Sequence, residues 1–396
     1  MLHSCQSRSR WVNDSWNFDK AKYADYRYCE IPAVAAAEYH VGLWERETTE
    51  PETYFFNLPD TYDSDEVNIL AIGDSWFAYP KRGFFVDFWS RPRNLLSSMA
   101  TLSNPSSNIL SLSNGGEILT NMVGLAEQDS EEAVWRKQVR YSIPWVMARV
   151  LRRMKDSNYT RNRFDYILVS GGGNDLYPAR LRRMIKHAPC QDQDAGGKND
   201  SKNSTGRIPA CVDKVETDRF LNRMETAYET LLNIIVREKG YEKIKIVTHT
   251  YDQIFPMPIG AEVLFPPFSV SVADYGWFFP ILEELGINDR EEQREITNYL
   301  LGRFQTMLVN LSQRSEYQER LIVVKTQGEI EKAFKRKNPT KRFPEEFPVE
   351  DYWLNEIHLT PKGSRCIAEV IHRRIRQDLI ERDATLKLSP PNYECL

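Results

Sequence analysis

The chain has 396 residues, with 52 basic and 56 acidic side chains and a formal net charge of −4. That length suits one enlarged α/β domain or two ordinary domains, and 41% hydrophobic with 27% charged residues excludes a disordered or collagen-like chain. The near-neutral balance, without a basic block, argues against binding nucleic acid through phosphate neutralisation.

In chain order, the amino terminus MLHSCQSRSRWVNDSWNF is polar and basic and never reaches the apolar run of a secretory signal. A cytoplasmic location is therefore the default expectation, with signal-independent secretion as its alternative. Residues 1–64 read as an aromatic extension that packs on the main domain and offers a surface for a protein partner. Apolar runs at Val67–Gly73, Asn108–Ser113, Phe164–Ser170, Lys243–Thr248 and Arg320–Lys325 predict strands. Amphipathic stretches at Ser130–Lys155, Val215–Lys239, Arg290–Gln313 and Pro361–Glu381 predict helices between and after them. Such alternation implies an α/β protein: a three-layer α/β/α sandwich with a five-stranded parallel sheet. Its domain is expected over 65–382, enlarged by insertions at 188–214 and 252–286 and followed by a tail over 383–396. The weakly charged stretch Gln253–Leu282 contains five prolines, too many for a membrane span.

The cysteines at 5, 29, 190, 211, 366 and 395 show no CxxC spacing, so free thiols are expected. Cys190 and Cys211 bracket a polar segment whose ends a disulfide would clamp. With His187 they lack a recognised zinc spacing, and neither a metal nor an organic cofactor is expected.

Ligands of parallel sheets bind beyond the carboxyl ends of the strands. The residues there are Gly73-Asp74-Ser75-Trp76, Gly115-Gly116-Glu117, Gly171-Gly172-Gly173-Asn174-Asp175 and His249-Thr250-Tyr251-Asp252. Ser75 is a candidate nucleophile, although serines there commonly cap helices. Gly116 lets a backbone amide approach a ligand, and Asn174 carries a carboxamide suited to a developing oxyanion. His358, in DYWLNEIHLTPKG, is the candidate base. His249 is its rival and a tentative substrate contact.

Taken together, GDS after the first strand, a glycine after the second, GxND after the third and a histidine near the carboxyl end resemble the SGNH (GDSL) hydrolases. The closest likeness is to a bacterial subgroup reading IGDSWF, GGGND and W-x-NE-x-H-x-T, here Ile72–Phe77, Gly171–Asp175 and Trp353–Thr360. The resemblance covers roughly residues 67 to 378. It implies a flavodoxin-like fold and a serine acyl hydrolase with Ser75 as nucleophile, Gly116 and Asn174 in the oxyanion hole, and His358 as base. Many members carry an aspartate three residues before the histidine, where this chain has Asn355. Three readings follow: a Ser-His dyad aided by Asn355 or a backbone carbonyl, a displaced carboxylate from Asp351 or Glu356, or a weakened enzyme.

The aromatic stretch 252–286, with Phe255 and Trp277, reads equally as a lid or acyl-chain wall and as a cap on the core or a dimer surface. A small-molecule or lipid ester is the expected substrate, with peripheral membrane contact through the basic Lys332–Lys341 cluster as one option. The rival functions are a catalytically weakened interaction protein and a lipase-type toxin effector.

Overall fold

The computed structural model describes residues 55–56, 67–78, 94–111, 113, 118–123, 164–176, 178–187, 210–237, 243–259, 262–265, 268–271 and 276–395. In chain order its elements are β1 (Phe55–Phe56), β2 (Val67–Gly73), α1 (Ser75–Ala78), α2 (Leu95–Ala100), β3 (Ser107–Ser111), α3 (Leu119–Met122), β4 (Tyr166–Ser170) and α4 (Pro178–Met184). Then come α5 (Lys214–Arg237), β5 (Lys245–His249), β6 (Glu262–Phe265), β7 (Phe268–Ser271), α6 (Phe279–Glu284), α7 (Arg290–Ser312) and β8 (Leu321–Val324). The chain closes with α8 (Glu329–Lys337), α9 (Val349–Tyr352) and α10 (Pro361–Arg382).

Every residue of β2 is buried, as an apolar run without alternation requires when both faces of a sheet are covered. The strands pair in the order β1-β3-β2-β4-β5-β8. β3, β2, β4, β5 and β8 are mutually parallel, and β1 adds an antiparallel edge against β3. The parallel order is the flavodoxin-like one, with its reversal between β2 and β4. Two side chains of β5 show that both faces are covered. Lys245 and Thr248 are three residues apart and so project to opposite faces. Lys245 Nζ meets Asp378 of α10 at 2.6 Å, whereas Thr248 Oγ1 lies 3.0 Å from the Tyr228 hydroxyl of α5. α2 and α8 pack beside α10, and α7 beside α5, completing the three layers.

At the amino ends of the strands, Asp378 also accepts from the Tyr166 hydroxyl at 2.8 Å and from Arg382 Nε at 2.6 Å. At the opposite ends, β2, β4 and β5 deliver Asp74, Gly171 and Thr250 to one edge, with the chain turning sharply beyond each.

The stretch 252–286 contains the β6–β7 hairpin and α6. Ile185 and Val212 form an antiparallel bridge, and Lys186 N donates to Cys211 O at 2.9 Å. The expectation of free thiols is corrected: Cys366 and Cys395 form a disulfide across 29 positions, and Cys211 is also disulfide-bonded, to a partner outside the described residues. Spacing offers no hint of the first bond, because the tail doubles back along α10. There the buried Glu369 carboxylate accepts from the backbone N–H groups of Glu394 and Cys395, each at 2.7 Å. Cys190, the predicted Ser130–Lys155 helix and nearly all of the extension lie outside the described residues. Among the described residues no helix is long and apolar enough to cross a membrane, and no three His, Cys, Asp or Glu side chains converge as a metal site.

Candidate active site

The turn after β2 is built by close approach. A Cβ on Gly73 would lie 2.8 Å from the Ser170 side chain, so only glycine lets β2 and β4 meet there. Asp74 Oδ1 then accepts from Trp76 N at 3.0 Å, capping α1 in the usual aspartate manner. The cap is Asp74, which frees the Ser75 hydroxyl from the capping role. Ser75 is 7% exposed.

His358 is presented by a tight loop after α9, closed by Leu354 N donating to His358 O at 2.8 Å. Asn355 Oδ1 accepts from Ile357 N at 3.1 Å and His358 N at 3.0 Å, and lies 3.1 Å from His358 Nδ1. Backbone N–H groups only donate, so this amide atom is the oxygen. His358 Nδ1 therefore carries the ring hydrogen and Nε2 the lone pair, the tautomer of a general base. Burial lowers the His358 pKa to about 3, which keeps the ring neutral.

The other two candidate partners of His358 point elsewhere. Asp351 pairs with Lys362 at 2.7 Å at the exposed surface, so the expectation that it orients the imidazole is corrected. Glu356 turns away and accepts from Phe278 N at 2.5 Å and Phe279 N at 3.0 Å. Burial raises its pKa to about 8. Those contacts fix the segment bearing Trp277, whose ring meets His358 edge-on at 5.7 Å. Across the site, Trp76 Nε1 donates to Ile357 O at 2.9 Å.

The GGGND loop is equally constrained. Gly172 has φ +106, and a Cβ on it would lie 2.8 Å from the Phe304 ring. Asp175 is fully buried, and its carboxylate accepts from Leu119 N at 2.7 Å, Thr120 N at 3.3 Å and Thr120 Oγ1 at 3.0 Å. It thereby ties the loop bearing Asn174 to the start of α3. Gly115 and Gly116, just upstream of α3, lie outside the described residues.

His249 is buried and bonded within the protein. Ser170 Oγ donates to Asp74 Oδ1 at 2.7 Å, so at 2.9 Å it receives the hydrogen of His249 Nε2. His249 Nδ1 in turn accepts from Tyr251 N at 3.3 Å. The two histidines thus hold opposite tautomers. Burial lowers His249 to about 3, and its ring stacks on Trp76 at 5.1 Å. Phe255 stacks on Phe347 at 5.4 Å and lies beside Trp353 at 6.1 Å in an aromatic cluster. The main residue that sequence reasoning left without a role is Tyr251, whose hydroxyl contacts Asp74 Oδ2 at 2.5 Å. Its place directly after a strand was the available signal.

No protein-family model matches the chain, and no curated protein sequence matches it. Similar solved structures include a GDSL-like lipase from Bacteroides thetaiotaomicron, at 10% identity and TM-score 0.34, covering 86% of this chain and 98% of the other. A carbohydrate acetylesterase family member from Sinorhizobium meliloti is similar at 12% identity and TM-score 0.37, covering 79% and 99%. Phospholipase A1 from Streptomyces albidoflavus is similar at 13% identity and TM-score 0.36, covering 78% and 98%. TM-scores this low leave the strand order and the site geometry above to stand on their own.

Proposed function

We propose that the protein is a serine-dependent acyl-ester hydrolase with Ser75 as nucleophile and His358 as general base. The observation that carries this reading is the Trp76 to Ile357 hydrogen bond at 2.9 Å, which joins the chain neighbours of those two residues. The Asn355 contact supplies the required tautomer, and burial keeps the ring neutral.

In the reaction, His358 Nε2 takes the hydroxyl proton as Ser75 Oγ attacks the ester carbonyl carbon. The carbonyl oxygen becomes an oxyanion, received by the Asn174 carboxamide and the amides of Ser75 and Gly116. Collapse breaks the bond to the leaving alcohol, which departs with the proton from His358. Water, deprotonated by the same nitrogen, then releases the acid and restores the serine. Asn355 steadies the imidazolium by accepting from Nδ1 but adds no counter-charge, so the base is a neutral-assisted dyad.

A fluorophosphonate probe should label Ser75, located by peptide mapping. Ser75→Ala should abolish both labelling and hydrolysis of p-nitrophenyl acetate. Retained hydrolysis in Ser75→Ala would sink the assignment. Profiling C2 to C16 esters then separates an acetylesterase from a lipase, since acetyl preference alone removes the lipid option.

A further inference from the structure

We propose that Tyr251 is a positioning residue whose hydroxyl holds the turn bearing Ser75 and the loop bearing Asn174 at a set separation, an inference that rests on the hydrolase reading above. Its hydroxyl has two partners, one on each side of the site: it donates to Asp74 Oδ2 at 2.5 Å and accepts from Gly173 N at 3.1 Å. Asp74 precedes Ser75 in the chain, and Gly173 precedes Asn174. A Cβ on Gly173 would lie 2.9 Å from Tyr251 Cζ, so the third glycine of GGGND makes room for this ring.

The backbone of Tyr251 is committed to the same end. It has φ +57, a left-handed conformation that a bulky residue rarely adopts. That conformation is held from both sides, by Tyr251 N donating to His249 Nδ1 at 3.3 Å and Thr326 Oγ1 donating to Tyr251 O at 2.9 Å. The ring then turns back over His249 and Trp76, at centroid distances of 4.9 and 5.0 Å. Phenylalanine would fill that space equally well, and a buried hydroxyl is costly unless bonded. The hydroxyl is therefore explained by the two turns it joins. Burial pushes its pKa well above the usual tyrosine value, so it stays a donor to Asp74 throughout the neutral range.

The test compares Tyr251→Phe, Asn174→Ala and the double variant on p-nitrophenyl acetate, with Ser75→Ala as control. Misplacement of a catalytic group by about 1 Å costs up to about 100-fold. Tyr251→Phe should accordingly lower kcat about 10- to 100-fold and move KM less than about 3-fold. In the Asn174→Ala background the same substitution should cost clearly less, because one of the groups it misplaces is already gone. An unchanged kcat, or a full multiplicative loss in the double variant, overturns the proposal. If Tyr251→Phe fails to fold, Asp74→Ser, which keeps a cap for α1 but is too short to reach the hydroxyl, reads the strut from its other end, and an unchanged kcat there overturns it equally. Hydrolysis surviving Ser75→Ala removes the hydrolase reading, whereas an inactive Ser75→Ala beside an unimpaired Tyr251→Phe removes only the strut.

Discussion

Trp76 Nε1 and the carbonyl of Ile357 are bonded at 2.9 Å although 281 positions separate them. Trp76→Phe removes the donor and leaves that carbonyl without it, at a cost of about 1 kcal/mol of stability. Because the bond sets the spacing between the neighbours of Ser75 and His358, kcat/KM should also fall about 10-fold. Denaturant unfolding and ester kinetics check the two effects. A stability loss alone would make the bond a packing feature.

Asn355 presents a sharper case, because its Oδ1 is the acceptor for His358 Nδ1. Asn355→Ala should lower kcat about 100-fold by releasing the ring and its tautomer. Asn355→Asp should stay active, since a carboxylate oxygen accepts the same N–H groups and adds a charge that stabilises imidazolium. That charge raises the His358 pKa, so the acid limb of kcat/KM moves to higher pH. An unmoved limb with full activity would show that Asn355 does not govern the base.

As the proposed base, His358 would work through its neutral ring, and burial lowers its pKa to about 3. kcat/KM should therefore hold from neutral pH well below 6.5, the value of an exposed imidazole, and fall only at more acid pH. A pH–rate profile with its acid limb at 6.5 would mean that the working ring is solvated.

Glu356 sets a stability term of the opposite sense. Burial raises its carboxyl to about 8, so between its unfolded value, near 4.5, and about 8 the native state binds more protons than the unfolded chain. Stability from this group is complete below the unfolded value and is lost as pH rises through the folded one. Glu356→Gln removes that slope, so its Tm relative to the wild type should improve from pH 5 to pH 8. A difference that does not vary with pH would show that Glu356 does not titrate there.

The Cys366–Cys395 disulfide closes a loop across 29 positions. Cys395→Ser should cost about 2–4 kcal/mol, read by denaturant unfolding. Reductant should cost the wild type more than the variant by that same amount, since the variant keeps only the disulfide of Cys211. If both respond equally, the loss belongs to the disulfide of Cys211.

Much of the scaffold was legible. The strand predicted over Val67–Gly73 has those bounds, and the others differ at their ends by one or two residues. Lys243 and Lys325 fall outside their strands because pairing begins and stops nearer the apolar centre. His249 falls inside because a neutral, fully bonded imidazole is tolerated in a strand. β1 and the β6–β7 hairpin were not legible: the first is two residues long, and the second lies in a Pro- and Phe-rich run without clean alternation. The motifs suggested one edge for Ser75, Asn174 and His358. They left the partner of the histidine open, since Asn355, Asp351 and Glu356 sit on one short loop whose turn decides which faces inward. Tyr251 was hidden for a related reason, because a left-handed tyrosine leaves no mark in composition or periodicity.

The cluster of Tyr166, Lys245, Asp378 and Arg382 lies at the amino ends of the strands, a strand length from Asp74 and Tyr251. The Asp378 cluster shares no residue with the proposed site at the far ends of the same strands. Such a protein can drift or be engineered at one end with the other left intact: hardening the Asp378 cluster should raise heat tolerance at constant turnover, while the loops at the far edge remain free to be recut for a new ester.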